Sequence, residues 1–86
     1  MSIKVGTTDK SDVLIEIELE STGGCHINLK SKVEKIFGKQ IRQTVQETLK
    51  HHNIENALVT IEDNGALDFI IRARLKTAIR QLKGEL

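Results

Sequence analysis

The sequence predicts an α+β fold of two layers, ordered β-β-α-β-β-α, with an antiparallel sheet carrying two helices on one face. Three observations lead there. Apolar and polar residues alternate from Val13 to Leu19, from Cys25 to Leu29, and around Val59 and Ile61, which is the period of a half-buried strand. Val33, Ile36, Phe37, Ile41, Val45 and Leu49 follow at helical steps, forming one apolar stripe. Asp63-Asn64-Gly65 then breaks the last alternating stretch, and Asn and Gly tolerate the positive φ that a tight hairpin turn demands.

At 86 residues the chain has room for one domain, spanning 1–86, and none for a second core. With two Phe and no Trp or Tyr, that core must be filled by Ile, Leu and Val. The formal net charge of +1 makes no electrostatic case for nucleic acid or an anionic membrane as principal partner. Cys25 is the single cysteine, so no intrachain disulfide forms. No signal-peptide h-region and no apolar run near ~20 residues is present, and a cytoplasmic location is expected.

Each element has its own warrant. Residues 1–11, MSIKVGTTDKS, are polar and unpatterned and read as a flexible leader, ordering in part as an edge strand around Ile3 and Val5. The first strand covers 12–20, with Val13, Ile15, Ile17 and Leu19 inward and Leu14, Glu16, Glu18 and Glu20 outward. Ser21-Thr22-Gly23-Gly24 turns the chain into a second strand over 25–30. Lys30 is expected near the acidic outer face of the first strand, as in an antiparallel pair.

Ser31-Lys32-Val33-Glu34 fits a capping box that opens a helix. Gly38 is tolerated within it at about 1 kcal/mol against Ala. Lys50, His51 and His52 complement the far end of the helix dipole, and Asn53 is the stop. The hairpin arms follow at 57–62 and 67–73. From Arg74, Leu75, Ala78, Ile79 and Leu82 argue for a closing helix that ends at Gly84. A second register is open there, because Leu67, Ile70, Ile71, Arg74, Leu75 and Ala78 also fit a helix beginning at Ala66. The β-branched and aromatic content near the turn favours the strand.

No residue set reads as a catalytic or metal centre. His51 and His52 are adjacent on a helix, where neighbours do not face each other, and no acid or thiol completes a site locally. Cys25 and His26 fall on opposite faces of a strand, which leaves Cys25 a small core residue. Asp63 serves its turn through the backbone. Arg72, Arg74, Arg80 and Lys83 form a basic end that is either solvated or holds a phosphorylated cofactor or acidic partner. An RNA-binding module is a weaker reading, because no aromatic stacking platform accompanies those charges. The inventory fits a carrier, adaptor or subunit better than a complete enzyme.

Three motifs carry a resemblance: Thr8-Asp9-Lys10-Ser11-Asp12-Val13, the run V-E-K-x-F-G-x-x-I-R-Q-T from Val33, and D-N-G-A-L-D with I-R-A-R-L from Asp63 to Leu75. Together they resemble the acyl carrier (gamma) subunit of citrate lyase. The resemblance implies a non-catalytic subunit bearing 2'-(5''-phosphoribosyl)-3'-dephospho-coenzyme A, joined by phosphodiester to a serine near the N-terminus. It implies as partners the acyltransferase (alpha) and lyase (beta) subunits and a prosthetic-group transferase. The family pattern L-E-S-[SG]-D puts the modified serine two places before the Asp. Here that place holds Lys10, which cannot form a phosphodiester. Either Ser11 takes the arm one residue out of register, or the chain is an unmodified structural or regulatory relative that binds the same partners.

Overall fold

The computed structural model describes residues 2–84. Strands β1 (Ser2–Gly6), β2 (Val13–Leu19) and β3 (Cys25–Ser31) precede helix α1 (Glu34–His51), strand β4 (Ala57–Asp63) and helix α2 (Asp68–Leu82). The architecture is α+β in two layers, with the helices on one face of a four-stranded sheet ordered β1-β2-β4-β3. The sheet is mixed rather than antiparallel throughout. β1 with β2 and β2 with β4 run antiparallel, while β3 and β4 are parallel. Parallel neighbours need a long crossover, and α1 supplies it.

Two rows of aliphatic side chains cross the sheet on its covered face. Val5, Ile15, Ile61 and Leu29 form one; Ile3, Ile17, Val59 and Ile27 form the other. Ile41, Val45 and Leu49 of α1, with Ile71, Leu75, Ala78 and Ile79 of α2, close the core over them. The inner members of both central strands are fully buried, whereas Ile27 and Leu29 on β3 are only partly covered. The two strands with the most completely buried apolar faces, β2 and β4, occupy the centre. No described helix is long and apolar enough to cross a membrane.

Several expectations are corrected. Ser21–Gly24 does not close a hairpin, because β4 lies between β2 and β3. Asn56 ties that loop to β4 instead: its side-chain oxygen accepts from the Gly24 amide at 2.8 Å and its carbonyl from the Glu20 amide at 3.0 Å. The ladder neighbour of Lys30 is accordingly Glu62, not the face of β2. The edge strand expected around Ile3 and Val5 does form, as β1 over Ser2–Gly6; Met1 lies outside the described residues.

The hairpin after Asp63 is absent, and the register beginning near Ala66 is the one adopted: the chain rises into α2 at Asp68. Only Gly65 has positive φ there, at 90°, whereas a type I′ turn needs two such residues. Leu67 and Phe69, which made the period look like two, are each 63% exposed. They never belonged to a core face.

No capping box forms on α1. Val33 is its N-cap without a side-chain bond, and Ser31 remains in β3. Ile36 and Phe37 drop out of the apolar stripe, at 77% and 47% exposure. The helix stops at Asn53 as expected: Asn53 has φ of 60°, and the Asn53 and Ile54 amides donate to the Lys50 and Leu49 carbonyls, a Schellman closure.

Gly38→Ala is expected to stabilise the protein by about 0.5–1 kcal/mol through helix propensity. The added Cβ meets Glu34 Cγ at 3.1 Å and Leu29 Cδ2 at 3.9 Å, and the exposed Glu34 can turn aside. A lower urea midpoint for the variant would show that this contact does not yield.

Candidate functional site

Three chain junctions meet at one end of the sheet. Because β4 is parallel to β3 and antiparallel to β2, the loop entering β2, the start of α1 and the start of α2 share that pole. Ser11 lies there, exposed, in a turn closed by the Asp12 amide donating to the Asp9 carbonyl at 3.1 Å. Its φ is 64°, a left-handed conformation uncommon outside glycine. Among the described residues its hydroxyl takes part in no hydrogen bond.

The loop is pinned from two sides. Asn64 holds one: its carbonyl accepts from the Ser11 amide and its amide donates to the Asp12 carbonyl, both at 2.9 Å, while its side-chain amide donates to the Thr8 carbonyl at 2.9 Å. Asp12 holds the other. Its carboxylate accepts from the Val13 amide at 2.7 Å, from the Thr7 hydroxyl at 2.8 Å, and from Arg74 Nε and Nη2 at 3.2 and 2.9 Å. This bidentate pair links residues 62 apart, so no local pattern marks it. It also shows that Arg74 is not a free solvated cation.

The Val13 amide, the Thr7 hydroxyl and then Arg74 hold the Asp12 carboxyl at about 2, below its ordinary 3.8. A native value below the unfolded one contributes stability that is complete above about pH 4 and is lost as pH falls toward 2. The melting-temperature gap between the wild type and Asp12→Asn is therefore expected to close over that window. A gap that stays constant down to pH 2 would contradict the assignment.

Asp63 does stabilise its turn, as read from sequence, with Oδ1 accepting from the Ala66 amide at 2.9 Å. It also does what no local reading foresaw, accepting the Ser31 hydroxyl proton at 2.7 Å through Oδ2. Ser31 Oγ in turn accepts from the Val33 amide at 3.1 Å. An open cleft of about 300 Å³ lies beside the loop, lined by Thr8, Lys30, Ser31, Lys32, Glu62, Asp63 and Asn64. On the helix side, a groove of about 290 Å³ runs between Phe37 and Gln40 of α1 and Leu67 and Asp68 at the start of α2. Asp68 is fixed at its edge by the Thr44 hydroxyl at 2.6 Å and Arg72 at 3.0 Å, which together lower its pKa, Thr44 most.

The remaining candidates lie elsewhere or apart. Cys25 is exposed rather than a core residue, with Sγ 3.6 Å from the Ile54 carbonyl at the opposite pole. His26 contacts the Gly23 carbonyl instead. His52 is not a helix-end cation, since burial and then His51, Lys83, Lys76 and Arg80 push its imidazole below 6.5. It packs edge-on against the His51 ring, with centroids 5.5 Å apart. The basic C-terminal residues do not converge: Arg74 serves the Ser11 loop, while Lys83 donates to the His52 carbonyl far from it. Among the described residues no group of three or more His, Cys, Asp or Glu is placed to hold a metal ion.

Comparison with known proteins identifies the family. Residues 1–82 match the family described as ACP: Malonate decarboxylase delta subunit (MdcD). The citrate lyase acyl carrier protein of Vibrio cholerae is 49% identical over 74 residues, covering 86% of this chain and 76% of that one. Its counterpart from Streptococcus uberis is 43% identical over 79 residues, covering 92% and 77%. The crystal structure of a Pseudomonas malonate decarboxylase hetero-tetramer in complex with malonate contains a chain of the same fold. That chain superposes with a TM-score of 0.81 at 18% identity, over 94% of this chain and 82% of that one. Extensive identity to these carriers, with a family match along nearly the whole length, establishes that the chain belongs to the acyl carrier protein family of citrate lyase.

Proposed function

We propose that this chain is the acyl carrier subunit of a citrate lyase complex, or of a close relative such as citramalate lyase, and that Ser11 Oγ is its attachment point. The carrying observation is an exposed hydroxyl on a loop whose backbone is held by Asn64 and Asp12. An attachment site needs that combination: the oxygen must be reachable, and its position must be defined for the enzyme that modifies it. The arm, 2'-(5''-phosphoribosyl)-3'-dephospho-coenzyme A, would supply a terminal thiol for acetyl and citryl thioesters. In this reading the chain presents that thiol to the acyltransferase and lyase subunits in the cytoplasm and catalyses nothing itself.

Lys10 at the usual serine place supports a second reading, an unmodified relative that keeps the partner surface. Intact mass and peptide mapping of residues 1–20, on protein from its own organism grown on citrate, separate the two. The carrier reading expects the arm's mass on Ser11, and an unmodified chain beside another arm-bearing protein supports the relative. Ser11→Gly is expected to stay folded, with stability unchanged or raised by up to about 1 kcal/mol, since glycine adopts positive φ freely. It should gain no arm at all. An arm retained by that variant would move the attachment elsewhere.

A further inference from the structure

We infer that the apolar surface at the starts of α1 and α2, a groove lined by Phe37 and Leu67 with Ile36 and Phe69 exposed on the same two helix starts, is the docking surface for the transferase that installs the arm on Ser11. This rests on the carrier reading above. Of the five large hydrophobic residues left exposed among the described residues, these four stand at the Ser11 pole and Leu19 at the opposite one. Both aromatic residues of the chain are among them. Scattered exposed apolar residues are ordinary, but a cluster bordering a groove marks an interaction surface, and aromatic anchors in pockets dominate such interfaces.

The chemistry at Ser11 selects the occupant. Attachment forms a bond from Ser11 Oγ to phosphorus and breaks the bond from that phosphorus to the diphosphate leaving group of an activated triphosphate form of the arm. The hydroxyl proton passes to a base of the transferase. Reaction requires the oxygen within about 3–3.5 Å of the phosphorus. The Ser11 backbone is tied to Asn64, and the chain runs on from Asn64 through Gly65 and Ala66 to Leu67. The hydroxyl cannot travel to a distant active site, so the transferase must cover this pole and meet the patch. Subunits that work on the far end of the arm face no such constraint.

Charge also describes the partner. Lys10, Lys32, Lys35 and Lys39 stand exposed around this end, and no carboxylate forms a salt bridge with them among the described residues. Of the carboxylates at this end, Asp12, Asp63 and Asp68 are turned inward onto hydrogen-bond donors, while Asp9, Glu34 and Glu62 are exposed and outnumbered by these lysines. The fitting surface is therefore an apolar pocket with an acidic rim, which steers encounter and register.

The test follows intact mass over time as purified apo protein is loaded by the transferase and its triphosphate donor. It compares the wild type, Phe37→Ser with Leu67→Ser, and Leu19→Ser as a control at the opposite pole. Binding of the transferase to Ser11→Ala, which keeps the patch but has no hydroxyl to load, is measured in parallel. The expected result is a loss of about tenfold or more in loading kcat/KM for the double variant, with an unchanged melting temperature, normal loading of the control, and retained binding to Ser11→Ala. Wild-type loading rates in the double variant would overturn the inference and leave the carrier reading intact. Failure of the wild type to load on Ser11 would overturn both. The inference also falls if the variant loads normally but no longer joins the lyase subunits, or loads normally but loses a dimer that the wild type forms. Those results would assign the patch to the complex or to a second copy of this chain.

Discussion

Gly6→Ala is expected to destabilise the protein by roughly 3 kcal/mol or more, because a strained backbone and a collision with an immovable atom add together. Gly6 has φ of +96°, and a Cβ there would lie 1.9 Å from the Val13 carbonyl oxygen. That oxygen belongs to the first residue of β2, whose position is set by pairing with Asp63 across the centre of the sheet. It cannot retreat without opening the β2–β4 ladder. The cheaper escape is for β1 to peel away, since β1 is an edge strand held only by β2 and by α2 packed above it. Urea denaturation and hydrogen exchange of the β1 amides report the two parts of this effect. Exchange should accelerate in residues 2–6 and in the Ser11 loop before it does so in β4. An unchanged midpoint would mean that the loop does not depend on the close approach at Gly6.

Asp63→Ala is expected to cost about 2 kcal/mol, the penalty for leaving two partly buried donors without an acceptor. Asp63 is 5% exposed, and its two oxygens serve the Ser31 hydroxyl and the Ala66 amide on separate junctions. Alanine would orphan both groups at the place where β3, β4 and the approach to α2 meet. Asp63→Asn is expected to cost less, because its amide oxygen can still accept from Ala66 while its NH₂ donates to Ser31 Oγ. A double-mutant cycle with Ser31→Ala isolates the pair, and a coupling of about 1 kcal/mol is expected for a partly buried hydrogen-bonded contact. Costs for both single variants below about 0.5 kcal/mol, the level of ordinary surface changes, would remove Asp63 from the framework of the pole.

Among the segments, local pattern was most reliable where one face is truly buried. Val13, Ile15, Ile17 and Leu19 read as an inward row; the first three are fully buried, whereas Leu19, at the end of the strand and beyond the cover of the helices, is 44% exposed. The end of α1 was marked by Asn53, a residue that accepts the left-handed conformation a Schellman closure requires. Pattern misled where exposed apolar residues imitated a core. Leu67 and Phe69 gave a false period of two after Gly65, and Ile36 and Phe37 widened the stripe of α1. Those four residues are the surface assigned here to a partner, so the errors of reading and the proposed interface have one cause. A side chain kept apolar for binding is indistinguishable in sequence from one kept apolar for packing.

The candidate site divides in the same way. Ser11 entered through the family resemblance alone, whereas the Asp63-Asn64-Gly65 turn was visible as a motif, because turn chemistry belongs to a short window. Their meeting was not visible. The Asp12–Arg74, Ser31–Asp63 and Ser11–Asn64 contacts join segments far apart in the chain, and nothing in any one window encodes its distant partner. By itself the sequence determined the α+β class, the central helix, the inward face of β2 and the family. Tertiary structure alone decided that β4 enters between β2 and β3 and that the last segment is helical from Asp68. The physical reason is competition. Central places in a sheet go to the strands that bury most apolar surface, and the choice of strand or helix for residues 67–73 depends on whether the core below needs another strand or a cover.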